Sequence, residues 1–134
     1  KELIDYFKID AKDVIVFHDD LDIDFGKIKA KFSGSSAGHN GIESIDKFIG
    51  KDYSRVRIGI GHPKDQKKVS NHVLEDFKED EEEKIQDITN NIVKLIPTLL
   101  EKKIDLFSSK VNQNLNGIYM WYCWFTQCRK VNSF

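Results

Sequence analysis

Two strictly alternating stretches constrain the fold more than anything else in this 134-residue chain. In GKIKAKF, residues 26–32, Lys27, Lys29 and Lys31 fall on one side and Ile28, Ala30 and Phe32 on the other. In SRVRIGIG, residues 54–61, Arg55 and Arg57 oppose Val56 and Ile58, and Gly61 and Pro63 mark the end. Side chains alternate across a strand with a period of two, so both stretches read as strands, the first half-exposed with a lysine stripe. VIVF at residues 14–17 is a β-branched run flanked by acids and reads as a buried strand, of the kind found in parallel sheets. Helical periods lie around them. Residues 41–49 carry Ile42, Ile45, Phe48 and Ile49, with Asn40 as a candidate N-cap and Gly50 as a stop. Residues 80–100 place Ile85, Ile88, Ile92, Val93, Ile96, Leu99 and Leu100 on one side. Glu81, Glu82 and Glu83 suit the positive end of that helix, and Pro97 is expected to kink or end it. Leu3, Ile4 and Phe7 mark residues 1–8 as the end of an amphipathic helix, while 69–77 is ambiguous. Strands interspersed with helices make the class α/β, with a mixed sheet between helices.

The length fits one domain with a real core. The formal net charge is −1, yet the charges are uneven. Residues 26–68 hold ten Lys/Arg against four Asp/Glu, and residues 75–105 hold five against ten. The balance fits one basic face and one acidic helix, or simply two solvated faces. No apolar run approaches the ~18 residues of a membrane span, and no secretory signal opens the chain. Cys123 and Cys128 make no disulfide framework. The reading is a cytoplasmic protein. Because the first residue is Lys1, the chain is expected to be an internal fragment or processed product. From Gly117 the character changes to an aromatic stretch without acids, so 1–107 is taken as the domain and 108–134 as an atypical tail.

Three places could carry chemistry. In FHDDLDID, Asp19, Asp20 and Asp22 lie just past the VIVF strand. Ligands of open α/β sheets sit beyond the carboxyl ends of strands. A carboxylate there can orient a histidine or hold a metal, or it can cap a polar turn. In FSGSSAGHNG, five Gly/Ser residues precede His39 and Asn40 at a helix start. Free N–H groups and the dipole there suit a phosphate or an oxyanion, and the Asn40 amide can donate and accept. A flexible loop with a simple cap is the plainer reading. Third, Arg55, Arg57, Lys67 and Lys68 could extend the lysine stripe into an anion patch that contacts phosphates without reading bases. His62, before Pro63, reads as a turn residue.

Taken in order, VIVFHDDLDIDFGKIKAKFSGSSAGHNGIESI, then YSRVRIGIGHP, then VSNHVLEDF resemble bacterial-type peptidyl-tRNA hydrolases, over roughly residues 1–100. The resemblance implies a single α/β/α domain around a mixed twisted sheet. It implies hydrolysis of the ester joining a nascent peptide to the 3′ end of tRNA, without metal or cofactor, by a monomer in translation. The partner is peptidyl-tRNA, through its acceptor stem and peptide, and no membrane is involved. Asp19 matches the aspartate that orients the catalytic histidine and raises its basicity, and Asn40 an active-site asparagine near the ester carbonyl and attacking water. Lys31 and Arg57 match residues that grip tRNA phosphate, Lys68 lies at a further basic loop position, and Gly38 and His39 belong to the loop lining the peptide cleft.

The family's catalytic histidine lies ahead of the matched region, in an N-terminal segment. His18, His39, His62 and His72 all match other positions. The chain is therefore expected to be a form with the N-terminal part missing and to be inactive by itself, since a general base is typically worth ~10²–10⁴-fold. Two other readings stand beside this one. VIVFHDDLD imitates a haloacid-dehalogenase-like phosphatase, with Asp20 and Asp22 around Mg²⁺, and a non-catalytic remnant would share the fold without turnover.

Overall fold

The computed structural model describes residues 1–63 and 69–115. The chain divides into two compact units, Lys1–His62 and Pro63–Phe134. The first holds helix α1 (Glu2–Tyr6), a 3₁₀ turn (Ala11–Asp13), strands β1 (Ile15–Asp20) and β2 (Ile28–Phe32), helix α2 (Asn40–Ile49) and strand β3 (Ser54–Gly59). The strand order is β1-β3-β2. β1 runs parallel to β3, from Ile15 opposite Ser54 to Asp20 opposite Gly59. β2 runs antiparallel to β3, from Ile28 opposite Ile58 to Phe32 opposite Ser54. The sheet is mixed, and the class is α/β, as the alternation required.

β3 is central and paired along both edges, and its first half is buried on both faces. Tyr53, Ser54, Arg55 and Val56 are all buried. With Ile23, Ile28 and Ile42 they form the core of this unit. Each such apolar side chain contributes about 1.5–3 kcal/mol of burial. This corrects the expectation that Arg55 belongs to an exposed anion patch. Alternation assigned it correctly to the face of Arg57, but α2 covers that face at the start of β3 and Asp46 takes up the guanidinium.

β1 departs from its expectation in two ways. The strand begins at Ile15 and runs through Asp19 and Asp20, so these carboxylates end the strand rather than follow it. It is also only half-covered, with Phe17 43% exposed, and among the described strands it pairs along one edge alone. Lys27, just before β2, and Lys29 within it are outward, but the apolar side of β2 is buried only at Ile28, and Phe32 is 50% exposed. No residue of α1 is buried. Leu3 and Phe7 stand 71% and 63% exposed and Ile4 is half-buried, so the apolar side expected for that helix is only partly covered among the described residues.

The turn after β1 is pinned to the end of β3. Gly26 N–H donates to Gly59 O, Gly59 N–H to Lys27 O, and Gly61 N–H to Ile23 O. A Cβ on Gly59 would collide with the Asp24 carbonyl, so the close crossing requires glycine there. This crossing fixes where the aspartates of the FHDDLDID stretch project.

In the second unit, α3 spans Val69–Leu74 and α4 spans Glu79–Leu100. Glu81 accepts from the Lys78 N–H at 3.0 Å and so closes the first turn of α4. Its acidic first turn is as expected, and Ile88, Ile92 and Leu99 are buried. Pro97 does not end the helix, which continues to Leu100 with Glu101 N–H bonding to Pro97 O. Proline there removes one hydrogen bond, and the last turn holds without it. A further helical stretch covers 104–115, with Phe107, Val111 and Leu115 buried at helical spacing. Among the described residues no helix is long and apolar enough to cross a membrane. The aromatic stretch from Gly117 lies outside the described residues.

Candidate active site

The candidate site lies in the first unit, where the C-terminal end of β1 meets the loop leading into α2. That loop is costly to fold. Ser33, Gly34, Ala37 and Gly38 all take positive φ, at 59°, 125°, 50° and 80°. For Ser33 and Ala37 the left-handed region costs on the order of 1–2 kcal/mol each, so neighbouring contacts must hold the loop in place.

α2 starts at Asn40, one residue before the expected start, and its N-cap is His39 rather than Asn40. The His39 Nδ1 accepts the Ile42 N–H at 3.3 Å. An imidazole nitrogen can serve a free N–H of the first turn as an Asn oxygen does. That bond leaves the proton on Nε2, which donates to Asp19 Oδ1 at 3.0 Å. One ring thus joins the helix start to the strand end. Asn40, displaced from the cap, presents an exposed side chain in the first turn of α2.

His18 packs beneath this pair. Its ring meets that of His39 edge to face, with centroids 5.1 Å apart. Its Nδ1–H donates to the Asp19 carbonyl at 2.7 Å, and its Nε2 is buried without a partner among the described residues. Burial is the largest influence on this ring and holds its pKa below the ordinary value. The Asp19 carbonyl bond and the carboxylates of Asp19 and Asp20 oppose that shift, while His39 adds to it. The unfolded chain therefore binds this proton more tightly than the folded one. Stability is full above the unfolded value near 6.5 and is lost as pH falls through it. His18→Asn, whose amide can replace the Nδ1–H, is expected to flatten the fall in urea-melt stability as pH drops below about 6.5. An unchanged fall would place its origin elsewhere.

The other acidic residues are engaged in pairs. Arg57 Nε donates to Asp20 Oδ2 at 2.7 Å, and the Asp22 N–H donates to Asp20 Oδ1 at 2.9 Å. Burial alone would raise the Asp20 carboxyl; the Arg57 bond and charge, with the Asp22 N–H, reverse this and hold it below its ordinary value. His62 meets Asp22 at 2.9 Å on the surface, so it joins the turn after β1 to the end of β3.

Of the residues singled out from the sequence, Asp19, His39 and Asn40 come together at one corner. Lys31 reaches the same loop: a Cβ on Gly34 would come within 2.6 Å of its Nζ. Gly38 has open space around its Cα. Arg57 lies on the lysine face, opposite Lys29, with its Nε held by Asp20. Lys67 and Lys68 lie outside the described residues. Sequence reasoning did not anticipate the His39–Asp19 bond or the part played by Asp46, described below. The available signal was the position of His39 directly before a helical period.

A carboxylate at the end of a parallel strand, bonded to an imidazole that is followed by an amide, gives this α/β protein a polar corner where β1 meets the start of α2. The chain belongs to the peptidyl-tRNA hydrolase family, whose profile matches residues 1–117. It is 70% identical over 112 residues to a peptidyl-tRNA hydrolase of Pelagibacter ubique (strain HTCC1062), covering 84% of this chain and 60% of that protein. It is 48% identical over 106 residues to one from Aliarcobacter butzleri (strain RM4018), covering 79% and 58%. The crystal structure of peptidyl-tRNA hydrolase from Acinetobacter baumannii superposes with a TM-score of 0.74 at 29% identity, covering 83% of this chain and 57% of that one. The chain thus spans less than two thirds of the length of these relatives.

Proposed function

We propose that this chain carries the aspartate and asparagine of a peptidyl-tRNA hydrolase site, cleaving the ester between a nascent peptide and tRNA in the cytoplasm, as a monomer. The observation that carries the reading is the convergence of Asp19, His39 and Asn40 at the end of β1, in a chain of this family. Ester hydrolysis needs a water activated by a base and a donor for the developing oxyanion. Asn40 is placed to give the amide, to the carbonyl or to the water. Asp19 has one oxygen on His39 and is the group to orient a histidine base through the other.

That base is not His39. Its Nδ1 faces the Ile42 N–H and its Nε2–H faces Asp19, so neither nitrogen is open to a water. His62 is held at Asp22, and the open nitrogen of His18 is buried. The family resemblance puts the base in a segment ahead of the matched region, so these residues alone are expected to bind substrate without turning it over. His39 fixes the corner, and with Gly38 it lines the cleft for the peptide.

Lys31 and Arg57 grip phosphates of the acceptor stem, with Lys68 as a further contact. Lys31 is the cleaner residue to test, since Arg57 also holds Asp20. The chain is expected to bind an RNA hairpin that copies a tRNA acceptor stem, with affinity that falls as salt rises. Lys31→Ala should lower the slope of log K against log salt by about one unit. A hairpin affinity that ignores salt, or an unchanged slope in the variant, would overturn the phosphate assignment.

A further inference from the structure

Arg55 is the largest fully buried side chain among the described residues, at 1% exposure. Its Nη1 donates to the Ser35 carbonyl and its Nη2 to Asp46 Oδ1, each at 2.8 Å. Its guanidinium carbon lies 4.7 Å from the centre of the Tyr53 ring. The Tyr53 hydroxyl donates to the same Asp46 oxygen at 2.8 Å. The Nε is buried without a partner among the described residues. One side chain of the central strand therefore holds two segments, the loop at Ser35 and α2 at Asp46. Between them lies the corner that carries Gly38, His39 and Asn40.

A buried ion pair is a poor way to gain stability, because desolvation offsets most of its attraction and apolar residues of similar volume do as well. What a guanidinium adds is a planar fork with fixed directions. The orphaned Nε fits this: the fork is set for its two contacts at the expense of full satisfaction. The loop it grips needs such a hold, since Ser33 and Ala37 are both in the left-handed region.

We propose that Arg55 is a positioning residue of the site: by tying Ser35 and Asp46 to β3 it sets the loop and α2 so that His39 reaches Asp19 beside Asn40. Its catalytic meaning rests on the hydrolase reading. Its geometric meaning does not, and the two are tested separately.

The test uses the 134-residue chain and two variants. Arg55→Lys keeps the charge but cannot serve both partners. Arg55→Met with Asp46→Leu removes the tie and leaves no buried charge unpaired, which keeps the fold. Amide exchange and the ring ¹⁵N resonances of His39 are followed by NMR. Both variants are expected to leave β1 and β3 amides protected, to speed exchange at the Ala37 and His39 amides by about tenfold or more, and to move the His39 resonances off the single Nε2–H tautomer. Unchanged loop exchange and an unchanged His39 signature in both variants would overturn the proposal. So would equal loss of protection in β1 and β3, which marks general core support. In a hydrolytically active form that includes these residues, Arg55→Lys should lower kcat with little change in KM. If no form releases peptide, the hydrolase reading falls while the exchange data still decide the role of Arg55.

Discussion

Asp46→Ala is expected to destabilise the first unit by about 3–5 kcal/mol, the usual result of removing one partner from a buried ion pair. Asp46 accepts from Arg55 Nη2 and from the Tyr53 hydroxyl through a single oxygen. Without it Arg55 keeps only the Ser35 carbonyl, and a full positive charge stays buried beside an orphaned hydroxyl. Salt should not rescue the variant, because a buried pair is screened little. For a domain of this size 1 kcal/mol moves Tm by about 4–8 °C, so the loss is large enough to leave the unit partly unfolded at room temperature. Asp46→Asn, which keeps an oxygen for Tyr53, should cost less. Adding Arg55→Met to Asp46→Leu should recover much of the stability by removing the buried charge altogether. Urea melts of the four proteins check this ordering. A loss below about 1 kcal/mol for Asp46→Ala would show that the pair is open to water, and the burial argument would fail with it.

Why the ion pair was not legible in the sequence follows from what alternation encodes. It assigns side chains to faces, and it did so correctly for Arg55, Arg57, Val56 and Ile58. It does not say which faces are covered. β3 is central because β1 and β2 pair on its two sides, and that is a matter of topology rather than of period. What buries the arginine near its start is α2, which lies over that end of the face and brings Asp46 as its partner. The carboxylates of the FHDDLDID stretch were legible because a short apolar run followed by acids has few solutions in an α/β sheet; the strand simply ran further, to Asp20. At α2 the helix was legible, but the cap was displaced by one residue. Asn is the commoner cap, yet His39 can satisfy the Ile42 N–H and Asp19 at once, and that second bond decides the start. Pro97 shows the reverse case, where a strong local signal yields to an established helix.

Residues 1–134 by themselves are expected to release no peptide from peptidyl-tRNA beyond the uncatalysed rate by more than a small factor. Carbonyl polarisation by Asn40 can act without a base, but proton removal from water cannot, and a positioned base is worth about 10²–10⁴-fold. Of the histidines in the first unit, His39 is engaged at both nitrogens, His18 has its open nitrogen buried, His62 is held at Asp22 through Nε2, and the family resemblance assigns the base to none of them. The comparison is release by the chain alone, by the chain joined to the N-terminal segment of a family member, and by that fusion with Asp19→Ala. The fusion should gain about 10²-fold or more, and Asp19→Ala should remove most of the gain, since an unoriented histidine loses its tautomer and basicity. His39 makes a useful control. His39→Asn can still cap α2 but gives up the bond to Asp19, so it should lower the fusion's activity far less than Asp19→Ala. Asp19-dependent release by the chain alone would instead make a histidine within these residues the base. His18 and His62 would then be the ones to test, since the His18 Nε2 is buried without a partner among the described residues and His62 is engaged through its Nε2 alone.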